Sequence, residues 1–331
     1  MVRSIHLVID SLFHFPHSAI GELPVFLDPF QVYTIPLQEW IEGFVDFIVD
    51  NFRFIFQAIS VPVRWVLTGI ESFLLWVPPT IMLIVIGLLA WQIAGGAIAV
   101  YSLIAMLCIG FFDAWNETMT TLSLVLTAVV LCAVIGIPLG IAAARSDRFE
   151  ATIRPILDAM QTLPAFVYLV PVVMLFGPGE VPGVIVTFVF AVPPMIRLTN
   201  IGIRQVSQEV VEAALAFGST PNQVLWEAQI PLAMPTILAG VNQSIMLALS
   251  MVVIASMIAV EGLGQMVFRG IGRLDIGLAS VGGISIVLMA VMLDRITQAV
   301  GKPTQNLSWK DRGPVRLVRS LGQKKTPASS T

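Results

Sequence analysis

Charged residues are scarce in this sequence of 331 residues: they make up 12% of the chain, against about 25% in soluble domains. Hydrophobic residues make up 56%, and the mean hydropathy is +0.88. A soluble enzyme or a nucleic-acid-binding protein needs a polar or basic surface, so this composition excludes both classes. It predicts an integral membrane protein with several spans.

Cysteine and histidine are also rare. Cys108 and Cys132 lie within apolar runs, so we expect them to pack as small hydrophobic side chains instead of forming a disulfide. The histidines, His6, His14 and His17, follow one another at spacings of eight and three residues in a segment interrupted by prolines. This spacing is poor ligand geometry, so no metal site is predicted. The N-terminus lacks a basic region followed by an apolar core, so no cleavable signal peptide is expected.

Long apolar runs dominate the rest of the chain and predict seven spans. They lie near residues 79–94, 97–112, 119–144, 164–179, 182–201, 235–260 and 277–299. The Gly95-Gly96 pair leaves open whether the first two runs are separate spans, because residues 79–112 could also form one kinked helix. Before these runs, residues 37–59 have apolar positions at helical spacing and predict an amphipathic helix. A second amphipathic piece follows Pro62.

The few charges are unevenly distributed. Residues 300–331 and the 145–163 loop are basic, and basic segments close to spans collect in the cytoplasm. Residues 1–78 are acidic and are therefore expected outside. With seven spans, this distribution predicts an external N-terminus, a cytoplasmic C-terminus and a cytoplasmic 202–234 loop.

Residues 205–235 form a polar stretch between two apolar runs. The first half has an apolar stripe at helical spacing, made of Val210, Val211, Ala214, Leu215 and Phe217. Gly218 can take a positive φ and is the expected end of this helix. Ser219-Thr220-Pro221 then supplies an N-cap hydroxyl and a first-turn proline for a second helix. The stretch predicts a compact knob of helix, tight bend and helix.

The spacing within this knob is specific. Glu212-Ala213-Ala214 is followed after three residues by Gly218 and later by Ile230-Pro231. This pattern resembles the Glu-Ala-Ala loop of ABC-importer permeases. Ala228 stands where that family has Ile, and Ile230 stands where it has Leu, which keeps Pro231 in register. The alternative is an ordinary loop between spans.

Three further stretches narrow the resemblance, at residues 160–177, 190–203 and 247–283. Together with the loop, they resemble the ProW-type permeases of glycine betaine and proline betaine importers. The likeness covers most of the chain from residue 37 onward and is strongest from 119 to 299. One departure is Glu261, where that family commonly has glycine, so the resemblance does not define the gate at this point.

The resemblance implies an all-α polytopic fold with an ABC type I importer core. Its parts would be an external tail at 1–78, additional spans at 79–118, the core at 119–299 and a basic cytoplasmic tail at 300–331. Two copies would pair around a path in the lipid of the cell inner membrane. A separate periplasmic-type binding protein would deliver the solute.

The resemblance also implies two cytoplasmic ATPase subunits. They would dock on the knob at Glu212, Ala213, Ala214, Gly218, Pro221, Ile230 and Pro231. The chain itself would catalyse no reaction and hold no cofactor, and the partner would bind ATP and magnesium. In agreement, the sequence contains no Gly-x4-Gly-Lys-Ser/Thr nucleotide motif.

Polar residues inside the predicted spans are costly and need a role. Asn242, Gln243 and Ser250 could line a substrate path, or they could bond neighbouring helices, and we favour bonding. Glu261 lies at the expected outer end of its span. It could face the mouth of the path, or it could be a solvated carboxylate paired with Arg269 or Arg273.

Three other functions are alternatives to a betaine permease. The same fold could carry another small solute, such as an amino acid. An ion-driven secondary transporter should show inverted repeats and ionisable residues at mid-membrane, and the sequence shows neither. A purely structural membrane protein would not need the cytoplasmic knob.

Overall fold

The computed structural model describes residues 36–301, and the regular structure in that range is helical. This confirms the predicted all-α fold class. The histidine segment and the basic C-terminal tail lie outside the described residues. The chain divides into two units, Met1–Asn51 and Phe52–Thr331, which are described separately.

We number the helices of the described part from α1 to α11. They are α1 Leu37–Trp76, α2 Pro79–Ala94, α3 Gly96–Phe111, α4 Trp115–Arg145, α5 Asp147–Thr162, α6 Leu169–Phe176, α7 Glu180–Arg204, α8 Gln208–Ala216, α9 Pro221–Ile258, α10 Leu263–Arg273 and α11 Ile276–Gly301. Two helices contain π-helical segments, Cys132–Gly136 in α4 and Val224–Gln229 in α9.

The first helix, α1, is one helix of 40 residues, whereas the sequence predicted two amphipathic pieces separated at Pro62. Proline removes one N–H from the helix, but the turns on either side keep their hydrogen bonds, so one proline does not have to end a long helix. Within the Phe52–Thr331 unit, Val63, Leu67 and Leu74 are buried and pack α1 against the core.

Within residues 36–301, five helices are long and apolar enough to cross a membrane: α1, α4, α7, α9 and α11. The α5 and α6 segments, bent by 106° at their junction, could form a sixth span. Of these, α1 was not among the seven predicted spans. The predicted span at 164–179 is a 3-10 turn, Ala165–Tyr168, followed by the eight residues of α6. The count of seven therefore stays a prediction.

The region around Gly95-Gly96 forms two helices and not one kinked helix. α2 and α3 have 16 residues each, which makes each about 24 Å long against a hydrocarbon core of about 30 Å. They pack side by side, with Gly87 of α2 against Leu103 of α3. α2 and α3 therefore form a hairpin of two apolar helices, each shorter than the hydrocarbon core is thick.

The core lies where α7 packs between α4 and α9. An added Cβ at Gly140 of α4 would lie 2.5 Å from the Cβ of Thr199 on α7, so no side chain fits at this crossing. Gly240 of α9 likewise lies against Leu198 of α7. Small residues allow helix backbones to approach closely. These crossings fix α7 against α4 and α9. The knob follows α7 in the chain and consists of α8 and the start of α9.

The far end of α9 leads into an antiparallel pair, α10 and α11. The backbone N–H of Leu263 donates to Thr121 Oγ1 of α4 at 2.8 Å, which attaches the start of α10 to α4. Gly270 of α10 packs against Ala279 of α11. The turn between them, at Leu274, is therefore at the end of the bundle opposite the knob.

Candidate functional site

The knob begins with α8, which ends in a Schellman motif. Gly218 has a φ of +87°, its N–H donates to the carbonyl of Leu215 at 2.9 Å, and the N–H of Ser219 donates to the carbonyl of Ala214 at 3.1 Å. A side chain at residue 218 would meet no atom within 4 Å, so backbone conformation alone selects glycine here. The structure therefore confirms the predicted bend.

The second helix of the knob restarts at Thr220 with a reciprocal cap. The N–H of Gln223 donates to Thr220 Oγ1 at 3.4 Å, and the N–H of Thr220 donates to Gln223 Oε1 at 2.8 Å. Pro221 occupies the first helical turn, where its missing N–H costs nothing. The restart is thus built as the sequence predicted, and the two caps make the bend rigid.

The restarted helix widens into the π-helical segment Val224–Gln229 before it reaches Ile230 and Pro231. Val224 and Leu225 are buried, and Leu225 packs in a cluster with Ile203 of α7 and Ile237 of α9. This cluster attaches the second half of the knob, which is the start of α9, to the end of α7. The first half, α8, packs against the π-helical segment.

The predicted apolar stripe of α8 is divided between two sides. Val211 and Ala214 are half-buried, whereas Val210, Leu215 and Phe217 are exposed. Val211 and Ala214 are three residues apart and share one face of α8, which is the covered face. Of the predicted contact residues, Ile230 is half-buried, and the others outside that stripe are exposed: Glu212, Ala213, Gly218, Pro221 and Pro231.

Several large apolar side chains of the knob are exposed, and acidic side chains lie near them in the sequence. Phe217 is 92% exposed and Trp226 is 62% exposed, and Leu215 and Val210 add to them. Glu209 and Glu212 are also exposed on α8. Large exposed aromatic side chains on a polar segment mark a protein interface. We call Val210, Glu212, Leu215, Phe217 and Trp226 the coupling surface. Trp226 was missed by the sequence analysis, although a tryptophan within a polar stretch is a usable signal.

The polar residues of α9 do not converge on one site. Asn242 Nδ2 donates to Asp294 Oδ1 of α11 at 3.2 Å, and Asn242 Oδ1 accepts from Thr297 Oγ1. Ser250 donates to the carbonyl of Met246 on its own helix, and Gln243 is exposed. Asn242 therefore bonds α9 to α11, whereas the bond of Ser250 lies within α9. A role of Asn242, Gln243 and Ser250 in the path stays a prediction.

Glu261 is exposed at the end opposite the knob. It lines a cavity of about 320 Å³ together with Glu117 and Arg269. The ion pairs within residues 36–301 do not include Glu261, so the predicted pairing with Arg269 or Arg273 is not formed. Within the same range, no group of acidic, cysteine and histidine side chains could hold a metal ion.

Comparison with known proteins gives a family and two informative relatives. Residues 136–304 match the family described as "Binding-protein-dependent transport system inner membrane component". The chain is 57% identical over 295 residues to the glycine betaine/proline betaine transport system permease protein ProW of Escherichia coli strain K12, covering 88% of this chain and 83% of that protein. It is 47% identical over 278 residues to the glycine betaine/carnitine transport permease protein GbuB of Listeria monocytogenes serotype 1/2a, covering 82% and 98%.

Among solved structures, a chain of the inward-facing MetNI methionine ABC transporter, in its CY5 native crystal form, is similar at a TM-score of 0.51. The identity is 19%, and the match covers 56% of this chain and 95% of that one. This likeness supports the fold alone and is consistent with the predicted ABC type I core.

The matches confirm the family that the loop and the three other stretches indicated. Its members are permease subunits of ABC importers and not enzymes, and a separate subunit hydrolyses ATP. The family also implies an ATPase and a substrate-binding protein as partners. The chain therefore belongs to the binding-protein-dependent transport system inner membrane components, as a multi-pass permease subunit of an ABC importer.

Proposed function

We propose that this permease imports a quaternary ammonium osmoprotectant of the glycine betaine and proline betaine type. The observation that carries the substrate class is the 57% identity to a glycine betaine/proline betaine permease over 88% of the chain. The relatives reported above that share more than a third of their residues with it are betaine permeases, so an amino acid as solute is not favoured.

The coupling surface is the proposed docking site of the ATPase. Two permease copies pair in the lipid bilayer, and each presents one coupling surface to one ATPase subunit, which binds ATP and magnesium. Closure of the ATPases moves the two knobs together and shifts the permease from an inward-open to an outward-open state. Hydrolysis reverses the shift. The rigid caps of the knob support this role, because a flexible loop would not transmit a displacement.

The substrate assignment is tested by uptake. Cells that lack their own betaine transporters would express this chain with its ATPase and its binding protein, and radiolabelled glycine betaine and proline betaine would be supplied in turn. We expect uptake of at least one of them above the empty-vector background, and loss of uptake when the ATPase is omitted. Uptake of an amino acid but of neither betaine would contradict the assignment.

We further propose that the knob faces the cytoplasm, because basic segments flank this end in the sequence. The exposed Asn222 in the knob and the exposed Gly272 near the opposite turn provide a matched pair of labelling sites. In a background without Cys108 and Cys132, a membrane-impermeant thiol reagent should label Gly272→Cys in intact cells and Asn222→Cys only after permeabilisation. The reverse pattern would overturn the orientation.

A further inference from the structure

Arg204, the last residue of α7, donates three hydrogen bonds at one junction, one from each nitrogen of its guanidinium. Its Nε donates to Asn200 Oδ1 at 2.8 Å, its Nη1 donates to Asp147 Oδ1 at 2.7 Å, and its Nη2 donates to the carbonyl of Ala143 at 2.8 Å. These acceptors lie on three helices. Asn200 is on α7, Asp147 begins α5, and Ala143 is in the last turn of α4.

The junction between α4 and α5 needs a side chain with several donors, because the chain bends there. Ser146 between α4 and α5 is extended, with φ −139° and ψ 111°, so the last carbonyls of α4 lack helical partners. Arg204 supplies a donor to one of them and at the same time pairs with the first carboxylate of α5. The planar guanidinium has enough N–H groups for three acceptors, whereas a lysine ammonium is a single point.

Arg204 also lies where the knob meets the bundle. A cavity of about 570 Å³ separates α8 from the ends of α4 and α7, and Arg145, Arg204, Val206, Gln208 and Leu225 are among its lining residues. The start of the knob is therefore not packed against α4. Arg204 precedes α8 by only a short connection, and its side chain bonds to α4 and α5 and not to the knob.

We infer that Arg204 is a positioning residue for energy coupling. It transmits displacement of the knob to the α4–α5 joint, so that α5 and the bent α6 move together with α7 when the ATPases close. This role rests on the proposed function of the coupling surface. It adds a second route out of the knob, besides the buried cluster around Leu225.

The chain offers a matched control at Arg197. This arginine is about two turns earlier on α7 and forms a comparable ion pair with Asp158 of α5, with 2.5 Å between Arg197 Nη2 and Asp158 Oδ1. Within residues 36–301, the side chain of Arg197 bonds to α5 and not to α4, and it lies farther along α7 from the knob. Breaking it removes one ion pair between the same two helices without touching the junction.

The experiment measures uptake and ATP hydrolysis in the same proteoliposomes, reconstituted with the permease, its ATPase and its binding protein. Arg204→Gln should lower the betaine imported per ATP hydrolysed by roughly tenfold, Arg204→Lys should lower it less, and Arg197→Gln should leave the ratio unchanged. Equal ratios for Arg204→Gln and the parent, or a parallel loss of uptake and hydrolysis, would overturn the inference.

Two further arms keep the test decisive. If Arg204→Gln does not assemble with the ATPase, Asp147→Asn replaces it, because Asp147 is 89% exposed at its side chain and the change removes only one acceptor charge. Its ratio should still fall, and an unchanged ratio would count against Arg204. The parent provides the separate check: a parent that imports no betaine contradicts the proposed function itself, whatever the variants do.

Discussion

Replacing Gly218 by valine should strongly reduce betaine uptake while the permease still inserts and folds. The φ of +87° at this residue is costly for a β-branched side chain, by about 1–2 kcal/mol or more. The space around residue 218 is open, so the substitution creates no clash in the bundle. The strain must be relieved by moving α8 relative to the restarted helix. We expect uptake to fall by at least about tenfold, which is within the usual range of coupling free energies.

Gly218→Asn is the matched control, because asparagine tolerates the left-handed region better than other non-glycine residues. It should retain most of the uptake, and Gly218→Ala should lie between the two. Uptake is normalised to the amount of permease in the membrane, and ATPase binding is followed by co-purification. Full uptake by Gly218→Val at normal expression would refute the role of the knob in coupling.

Replacing Asn242 by leucine should destabilise the fold and affect transport only through that loss. The change leaves Asp294 without the Asn242 amide and leaves Thr297 without its acceptor on α9. A partner lost from a partly buried polar pair costs about 1–3 kcal/mol. The midpoint of thermal unfolding in detergent should therefore fall, and uptake per folded molecule should stay near that of the parent.

A substitution at the neighbouring residue, Gln243, distinguishes a role in bonding helices from a role in the path. Gln243→Leu changes a similar amide that is exposed, so it should leave the unfolding midpoint unchanged. If Gln243 lines the path, this variant should alter uptake without altering stability. An Asn242→Leu variant that unfolds like the parent but no longer transports would instead place Asn242 in the path.

The knob could be predicted from the sequence because its determinants are local. Gly218, Thr220 and Pro221 act on the backbone within a few residues of themselves, so their positions fix the bend and the restart. The exposure of Phe217 could not be predicted, because the spacing of apolar residues gives a face of a helix but not which residues of that face a neighbouring helix covers.

The contacts that the sequence did not reveal join residues far apart in the chain. Asn242 bonds to Asp294, and Arg204 bonds to Asp147, and neither pair has a signature within one segment. The continuity of α1 through Pro62 was missed for another reason: proline disfavours a helix locally, but the neighbouring turns and the buried residues Val63 and Leu67 outweigh it.

The π-helical segment Cys132–Gly136 has a consequence for the length of α4. A π-turn holds one residue more than an α-turn, and each residue rotates a helix by about 100°. Because the π-turn holds the extra residue with little net rotation, the rest of α4 keeps the phase of a regular helix that is one residue shorter. Deleting a single residue here would therefore restore regular hydrogen bonds, leave Gly140 at its crossing with Thr199 and keep the carbonyl of Ala143 facing Arg204. The same deletion in a regular part of α4 would turn the rest of the helix by about 100° and move both groups away from these partners.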